Sequence, residues 1–187
     1  MGIVVGLTGR NCAGKDAAAD ILERLGFERH SLSDALRDEL RARGEKITRE
    51  ALIAIGNELR EAEGPATLAR RMKRKMKSDR VVLVSVRNRA EVSSLRELPD
   101  FRLLAIDAPA PLRFQRERER NPHRGEGMAP DLDAFLALEA REEGAEATSQ
   151  QLGATIAAAD HLILNTGTLE ELERAILDLL EGMDDGG

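Results

Sequence analysis

The sequence predicts a three-layer α/β/α fold, a five-stranded parallel sheet with helices on both faces. Three observations carry that reading. Strand-length apolar runs alternate along the chain with amphipathic helical stretches, the pattern of parallel strands covered on both sides. The first apolar run leads at once into a glycine-rich turn and then a helix. The length, 187 residues of which 42% are hydrophobic, suits one domain with a sizeable core, read here as a single domain over 1–187.

Taken in order, Ile3–Thr8 (I-V-V-G-L-T) is apolar almost throughout, as a strand buried on both faces must be. After the turn, Ala17, Ala18, Ile21, Leu22 and Leu25 mark one helix face, and Gly26 ends that helix. Phe27–Leu32 is the second strand, and Ser33 is a candidate cap for a helix carrying Leu36 and Leu40. Thr48 caps the next helix, with Leu52, Ile55 and Leu59 at helical spacing, until Gly64-Pro65 breaks it. Leu68, Met72 and Met76 form another apolar stripe. Val81–Val86 (V-V-L-V-S-V) is the most strand-like run in the chain. Glu91–Leu98 reads as helix, Phe101–Ile106 as strand and Leu112–Arg120 as helix. Asn121–Pro130, with two Pro and two Gly, reads as a loop. Helices follow around Leu132–Glu143 and Gln150–Ala159. His161–Leu164 is the fifth strand, and Leu169, Leu172, Ile176, Leu179 and Leu180 stripe a final helix. Met183–Gly187 reads as a frayed tail.

Composition removes several function classes. No apolar run approaches the ~20 residues of a membrane span, so no membrane partner is expected. The chain has one cysteine, which excludes an intrachain disulfide, and neither a basic start nor a cleavable apolar stretch. A cytoplasmic location follows as the expectation. The three histidines match no metal-ligand spacing, and four Phe are the only aromatic residues, too few for base-stacking platforms. A net charge of −6 argues against a general nucleic-acid binder. Against that, Arg70, Arg71, Lys73, Arg74, Lys75, Lys77 and Arg80 stand in one segment with a single acid, Asp79. This is either a solvated helix end with its cations at the negative pole or a contact for polyphosphate or nucleic acid.

The chemistry sits in Gly9-Arg-Asn-Cys-Ala-Gly-Lys-Asp16, which fits G-x-x-x-x-G-K followed by Asp. This is the pattern of a phosphate-binding P-loop. Glycines let the backbone curl so that the N–H groups from Gly9 through Asn11, Cys12, Ala13 and Gly14 point at phosphate oxygens, and the helix that opens there adds its positive end. Lys15 reaches the β- and γ-phosphates of a nucleoside triphosphate. Asp16 stands where Ser or Thr usually binds Mg2+. It is either a harder, charged Mg2+ ligand, direct or through water, or only a helix-start acid. Cys12 lies near a helix N-terminus, either redox-sensitive or simply a small side chain that fits.

With this loop and the segments that follow, the chain resembles the nucleoside-monophosphate-kinase branch of P-loop proteins. It is most similar there to small microbial kinase-like ATPases described as similar to dephospho-CoA kinase. The resemblance spans nearly the whole chain. It runs through Ser31–Leu36 (S-x-S-D-x-L), Thr48–Gly56 (T-R-E-x-L-x-x-x-G) and Val86–Val92 (V-R-x-R-x-E-V). Arg113–Asn121 (R-F-x-R-x-R-x-R-N) and Ala159–Gly167 (A-D-H-L-I-L-N-T-G) complete it. The Lys-Asp ending of the loop is also similar to phosphomevalonate kinases and some deoxynucleoside monophosphate kinases.

The resemblance implies Mg-ATP as donor, a lid over its phosphates at about 113–131, and a small-molecule acceptor above the sheet, a nucleoside monophosphate or dephospho-CoA. Asp34, after the second strand, would face the acceptor and orient or deprotonate its hydroxyl; otherwise it is an early-helix acid. Arg37, three residues on, shares its helix face and is either an acceptor-phosphate contact or an exposed arginine. Arg87 ends the strongest strand, where a ligand crevice belongs, and can grip a phosphate with two parallel hydrogen bonds. Arg49 is either a further contact or a solvated first-turn residue. Arg113, Arg116 and Arg120 share a face by spacing, with Arg124 beyond. Arg116 and Arg120 are the best candidates to stabilise the migrating phosphoryl group, unless Glu117 and Glu119 make that face a salt-bridged surface. Asn165 and Gly167 would run beside the donor adenine, or form an ordinary strand-to-helix turn.

Two positions depart from the pattern. One is Asp16 in place of Ser or Thr. The other is Val84-Ser85-Val86-Arg87, which lacks the acid that usually follows the third strand. Together they imply either a relocated metal site or lost activity. Besides a kinase, the sequence therefore admits a nucleotide-binding module with little transfer activity. A third reading, motivated by Arg70–Arg80, is a kinase acting on nucleic acid.

Overall fold

The computed structural model describes residues 2–120, 129–142 and 151–184. Five parallel strands form one sheet in the order β2-β3-β1-β4-β5: β1 (Ile3–Thr8), β2 (Glu28–Ser31), β3 (Arg80–Val84), β4 (Phe101–Asp107) and β5 (His161–Leu164). The helices are α1 (Lys15–Arg24), α2 (Leu32–Ala42), α3 (Arg49–Glu63), α4 (Thr67–Lys73) and α5 (Arg89–Leu95), then α6 (Ala110–Arg120), α7 (Leu132–Glu142), α8 (Leu152–Ala157) and α9 (Leu169–Asp184).

Alternation along each strand divides the core. Val81, Leu83, Phe101 and Leu103 face a layer in which α2, α3, α4 and α5 contribute Leu36, Leu40, Ile55, Leu59, Leu68, Met72, Val92 and Leu95. Val5, Leu7, Val82, Val84, Leu104 and Ile106 face α1 and α9 through Ala18, Ile21, Leu22, Leu172 and Ile176. The predicted three-layer α/β/α arrangement is thus what forms. Because every strand is parallel, all their carboxyl ends meet on one rim, and the ligand crevice of such sheets lies there.

Several boundaries differ from the sequence reading for local reasons. The second strand stops at Ser31, not Leu32. Ser31, not Ser33, caps α2, its Oγ accepting from the N–H of Ser33 at 3.2 Å. The third strand stops at Val84 because Ser85 takes a left-handed φ of 67°, although Val86 still donates to Leu7 O at 3.3 Å. Asn88 caps α5 in a capping box with Glu91, so that helix begins ahead of the expected Glu91 and ends at Leu95. Helix α4 ends at Lys73, leaving Met76 beyond it but packed on the core. Helix α9 runs through Met183 to Asp184, so the expected fraying does not begin at Met183. Thr48 does cap α3, accepting from Ala51 N at 3.1 Å. Most of the Asn121–Pro130 loop, and with it much of the 113–131 lid, lies outside the described residues, as does Arg124.

Candidate functional site

The turn between β1 and α1 has the backbone of an anion cradle. Gly9 sits at φ +139°, and a Cβ there would stand 1.9 Å from Ile106 O on the neighbouring strand, so only glycine fits. Cys12 holds a left-handed φ of 58°. Gly14 caps α1 at φ 109°, where a Cβ would lie 2.2 Å from Asn165 Nδ2. Lys15 opens the helix, and its Nζ donates to Arg10 O at 2.6 Å, curled back over the loop. Burial, with Arg87 next in weight, lowers the Lys15 pKa to about 8. The ammonium therefore remains largely protonated at neutral pH while poorly hydrated, which strengthens its attraction to an incoming anion.

Three side chains brace the loop. Asn165, nearly buried at the end of β5, donates from Nδ2 to Ala13 O at 2.9 Å, and its backbone N–H bonds Asp107 O at 2.8 Å. Arg116 on α6 donates to Ala13 O at 3.4 Å and to Asn165 O at 3.0 Å. Arg113, 3% exposed, donates to Ala108 O at 2.9 Å and Asn11 O at 3.3 Å, pairs with Glu139 of α7, and lies over the Phe135 ring. Asp107, at the end of β4, pairs with Arg10 and accepts from Ala108 N at 2.9 Å. Asp16 is held between two arginines, Arg120 at 2.9 Å and Arg29 at 3.4 Å.

Above the loop opens a cleft of about 350 Å³, lined by Asn11, Cys12, Lys15, Asp16, Glu117 and Arg120 on the loop and α6 side. Ser33, Arg37, Arg60, Ser85 and Arg87 line its far side, with Leu32, Leu36, Leu52, Ile53, Leu68 and Val84 as apolar wall. A second hollow of about 310 Å³ shares Cys12, Lys15, Asp16 and Arg120 and adds Gly14, Ala17, Asp20 and Arg116. Two compartments thus meet over the lysine.

Of the residues singled out from sequence, Asn11, Cys12, Lys15, Asp16, Arg37, Arg87 and Arg120 line the larger cleft, and Gly14 and Arg116 the smaller. Gly9, Ala13 and Asn165 stand behind them as the loop's supports. Asp34 does not line either cleft; it is exposed and pairs with Arg37 at 2.8 Å. Gly167 faces the Glu171 carboxylate, which folds back to accept from Thr168 N at 2.8 Å at the start of α9. Burial, and Glu117 next in weight, raise the Cys12 thiol, which disfavours a reactive thiolate there.

Sequence reasoning gave no site role to four residues. Glu117 lines the larger cleft with Arg120, and the spacing 113, 116, 117, 120 already puts it on the helix face of the arginines. Arg60 is 5% exposed, lies 3.5 Å from the fully buried Glu91, and follows Leu59 on the edge of the apolar stripe of α3. Glu91 itself was legible as the fourth residue of an N-x-x-E capping signature. Asp107 carried no local signal, because its partner Arg10 lies 97 residues away.

Three cations of the Arg70–Arg80 segment pair with acids elsewhere in the fold. Arg71 pairs with Glu63 and Glu39, Lys73 with Glu97, Lys75 with Asp38, and Arg80 covers the Phe27 ring.

No family model matches the chain. Solved structures share the fold. Shikimate kinase from Bacteroides thetaiotaomicron aligns over 97% of this chain and 99% of its own, with a TM-score of 0.63 at 12% identity. The APS kinase CysC of Mycobacterium tuberculosis, in complex with AMPPNP and APS, aligns over 96% and 98% with a TM-score of 0.52 at 19% identity. The three-layer arrangement is that of P-loop kinases. Among the described residues, no helix is long and apolar enough to cross a membrane. In sequence, the UPF0200/UPF0201 protein of Archaeoglobus fulgidus is 30% identical over 95% of the chain, which spans about half (54%) of that protein. The UPF0200 protein of Thermococcus gammatolerans is 30% identical over 99% of the chain and 100% of its own length. That of Methanothrix thermoacetophila is 31% identical over 95% and 96%. At that identity over nearly full lengths, the chain belongs to the UPF0200 family.

Proposed function

We propose that this protein transfers the γ-phosphoryl group of ATP to the hydroxyl of a small anionic acceptor. The observation that carries the reading is the joint of the two compartments. Lys15 and Arg120 belong to both, so a phosphoryl group passing from one side to the other stays beside them. The loop amides and Lys15 hold the donor phosphates, and Arg116 and Arg120 on α6 lie against the loop as lid arginines. Asn165 braces the loop through Ala13 O, and Asn165 and Gly167 would run beside the donor adenine. Arg37 and Arg87 wait on the acceptor side, where a nucleoside monophosphate or dephospho-CoA, the acceptors implied by the resemblance, would present an anion.

Mg2+ fits this site only in company. Among the described residues, no three acidic, His or Cys side chains group closely enough to hold a metal ion. Asp16 is exposed at the mouth of both hollows, and one carboxylate with donor phosphates is a usual Mg2+ environment. When bound, Mg2+ would neutralise charge on those phosphates.

A nucleotide-binding module without transfer is the second reading. It is favoured by Asp34, which turns to Arg37 rather than lining a cleft, and by the absence of an acid at Val84–Arg87. The nucleic-acid kinase reading keeps a weaker motive, since Arg71, Lys73 and Lys75 of Arg70–Arg80 are paired within the fold. Incubation with γ-labelled ATP, Mg2+ and a panel of nucleoside monophosphates, dephospho-CoA, other small anionic alcohols and oligonucleotides separates the three. Label on a small acceptor is the expected result. Label on oligonucleotides alone, or ATP binding with no transfer anywhere, would overturn it.

A further inference from the structure

We propose that the acceptor is a small aliphatic alcohol carrying one oxyanion, a carboxylate or a phosphate, and that Arg60 and Arg87 clamp that anion together. The inference rests on the kinase reading and replaces the nucleotide acceptors that the resemblance implies with a class read from the cleft wall. Its starting point is Glu91, fully buried at the start of α5. One carboxylate oxygen, Oε2, accepts from the N–H of Arg87 at 3.0 Å and of Asn88 at 3.1 Å. The other, Oε1, stands 3.5 Å from Nη2 of Arg60. A single buried acid therefore fixes both the backbone that carries Arg87 and the guanidinium of Arg60, and both arginines line the same cleft. Neither lines the second hollow, so they belong to the end away from the donor.

The walls say what else the acceptor is. Leu32, Leu36, Leu52, Ile53, Leu68 and Val84 are all aliphatic. Every Phe of the chain is committed elsewhere: Phe27 under Arg80, Phe101 in the core, Phe114 against Phe135. The chain has no Trp or Tyr. A nucleobase would find no aromatic partner here, whereas an aliphatic body fits. Cations on the cleft wall (Lys15, Arg37, Arg60, Arg87, Arg120) outnumber the acids Asp16 and Glu117. Lys15 and Arg120 face donor phosphates, which leaves Arg87, Arg60 beside Glu91 and Arg37 beside Asp34 at the acceptor end. Planar guanidinium forks held by a buried acid suit a carboxylate or phosphate better than any neutral group. In the step, the acceptor oxygen bonds to the γ-phosphorus as the bond from it to the β–γ bridging oxygen breaks. ADP leaves with that electron pair, and the hydroxyl proton passes to water.

The test is a panel assayed with the full chain, ATP and Mg2+. One arm holds aliphatic hydroxycarboxylates, a second holds aliphatic alcohols bearing a phosphate, a third holds nucleoside monophosphates and dephospho-CoA. The expected result is a best kcat/KM in the first or second arm, and which of the two wins names the oxyanion. Arg60→Lys keeps a positive charge beside Glu91 but loses the fork. It should raise the acceptor KM by about tenfold or more and leave the KM for ATP within about twofold, in a variant that circular dichroism shows to be folded. Preference for the third arm would overturn the aliphatic class and leave the kinase reading standing. An acceptor KM unmoved in folded Arg60→Lys would overturn the clamp. ATP binding without transfer in any arm would overturn the kinase reading, and this inference with it.

Discussion

The side-chain amide of Asn165 donates to Ala13 O while its backbone carbonyl accepts from Arg116 and its N–H bonds Asp107, so one residue ties the P-loop to β4, β5 and α6. Asn165→Ala leaves these groups in place but removes the buried donor. We expect a loss of about 1–3 kcal/mol in urea unfolding and a weaker affinity for ATP, because Ala13 O is no longer held. Unchanged unfolding would show that the amide is not a strut. Asp16 is a separate case, gripped by Arg120 and Arg29. Asp16→Asn keeps the size and removes the charge, and should shift the Mg2+ midpoint for nucleotide binding upward while sparing metal-free binding. Equal midpoints in calorimetric titrations would exclude a metal role, direct or through water. Asp34→Asn should act through Arg37, raising the acceptor KM by roughly threefold to tenfold and leaving ATP affinity unchanged. A hundredfold fall in kcat would instead make Asp34 the group that takes the hydroxyl proton. At this scale the loop was legible, since glycine spacing and a lysine are local. Arg60 and Asp107 were not, because a charge on a helix or at a strand end reads as solvated until its distant partner is placed beside it.

Helices α2, α3 and α4 are laced by ion pairs, and their carboxylates record it. Arg71 and Thr67 hold the Glu63 pKa at about 2; Lys75 and Arg41 lower Asp38; Arg43 and Arg71 lower Glu39; Arg43 lowers Glu58. A carboxylate whose folded pKa is depressed stabilises the fold above its unfolded value, roughly 4–4.5, and loses that contribution as pH falls through the folded one. The melting temperature should therefore decline between about pH 4.5 and pH 2, and 1 M salt at neutral pH should remove part of the same increment. Most of these pairs are exposed and weak alone, so a melting temperature flat across that window would show that the lattice contributes nothing. Existence and type of these elements were readable because apolar stripes recur at fixed periods. Ends were less so. Ser85 breaks β3 by its backbone conformation, and Ser31 outcompeted Ser33 for the cap because β2 ended one residue sooner.

Across the whole molecule, alternating strand and helix signals were enough to foresee a parallel sheet with all carboxyl ends on one rim. The order β2-β3-β1-β4-β5 places β1 at the centre, and its P-loop beside a crevice walled by the chain that follows β2 and β3. What the sequence could not give was the meeting of elements far apart along the chain: α3 bringing Arg60 to α5, or α6 laying Arg116 and Arg120 over the loop. The central claim is that this loop holds a nucleoside triphosphate through Lys15. Calorimetric titration of Mg-ATP into the wild type and into Lys15→Ala, with circular dichroism as the check on folding, tests it most directly. The account predicts binding by the wild type and a loss of roughly tenfold to a hundredfold in the folded variant, the worth of a charge-assisted contact. Equal affinities in two folded proteins, or a wild type that binds no triphosphate, would contradict it.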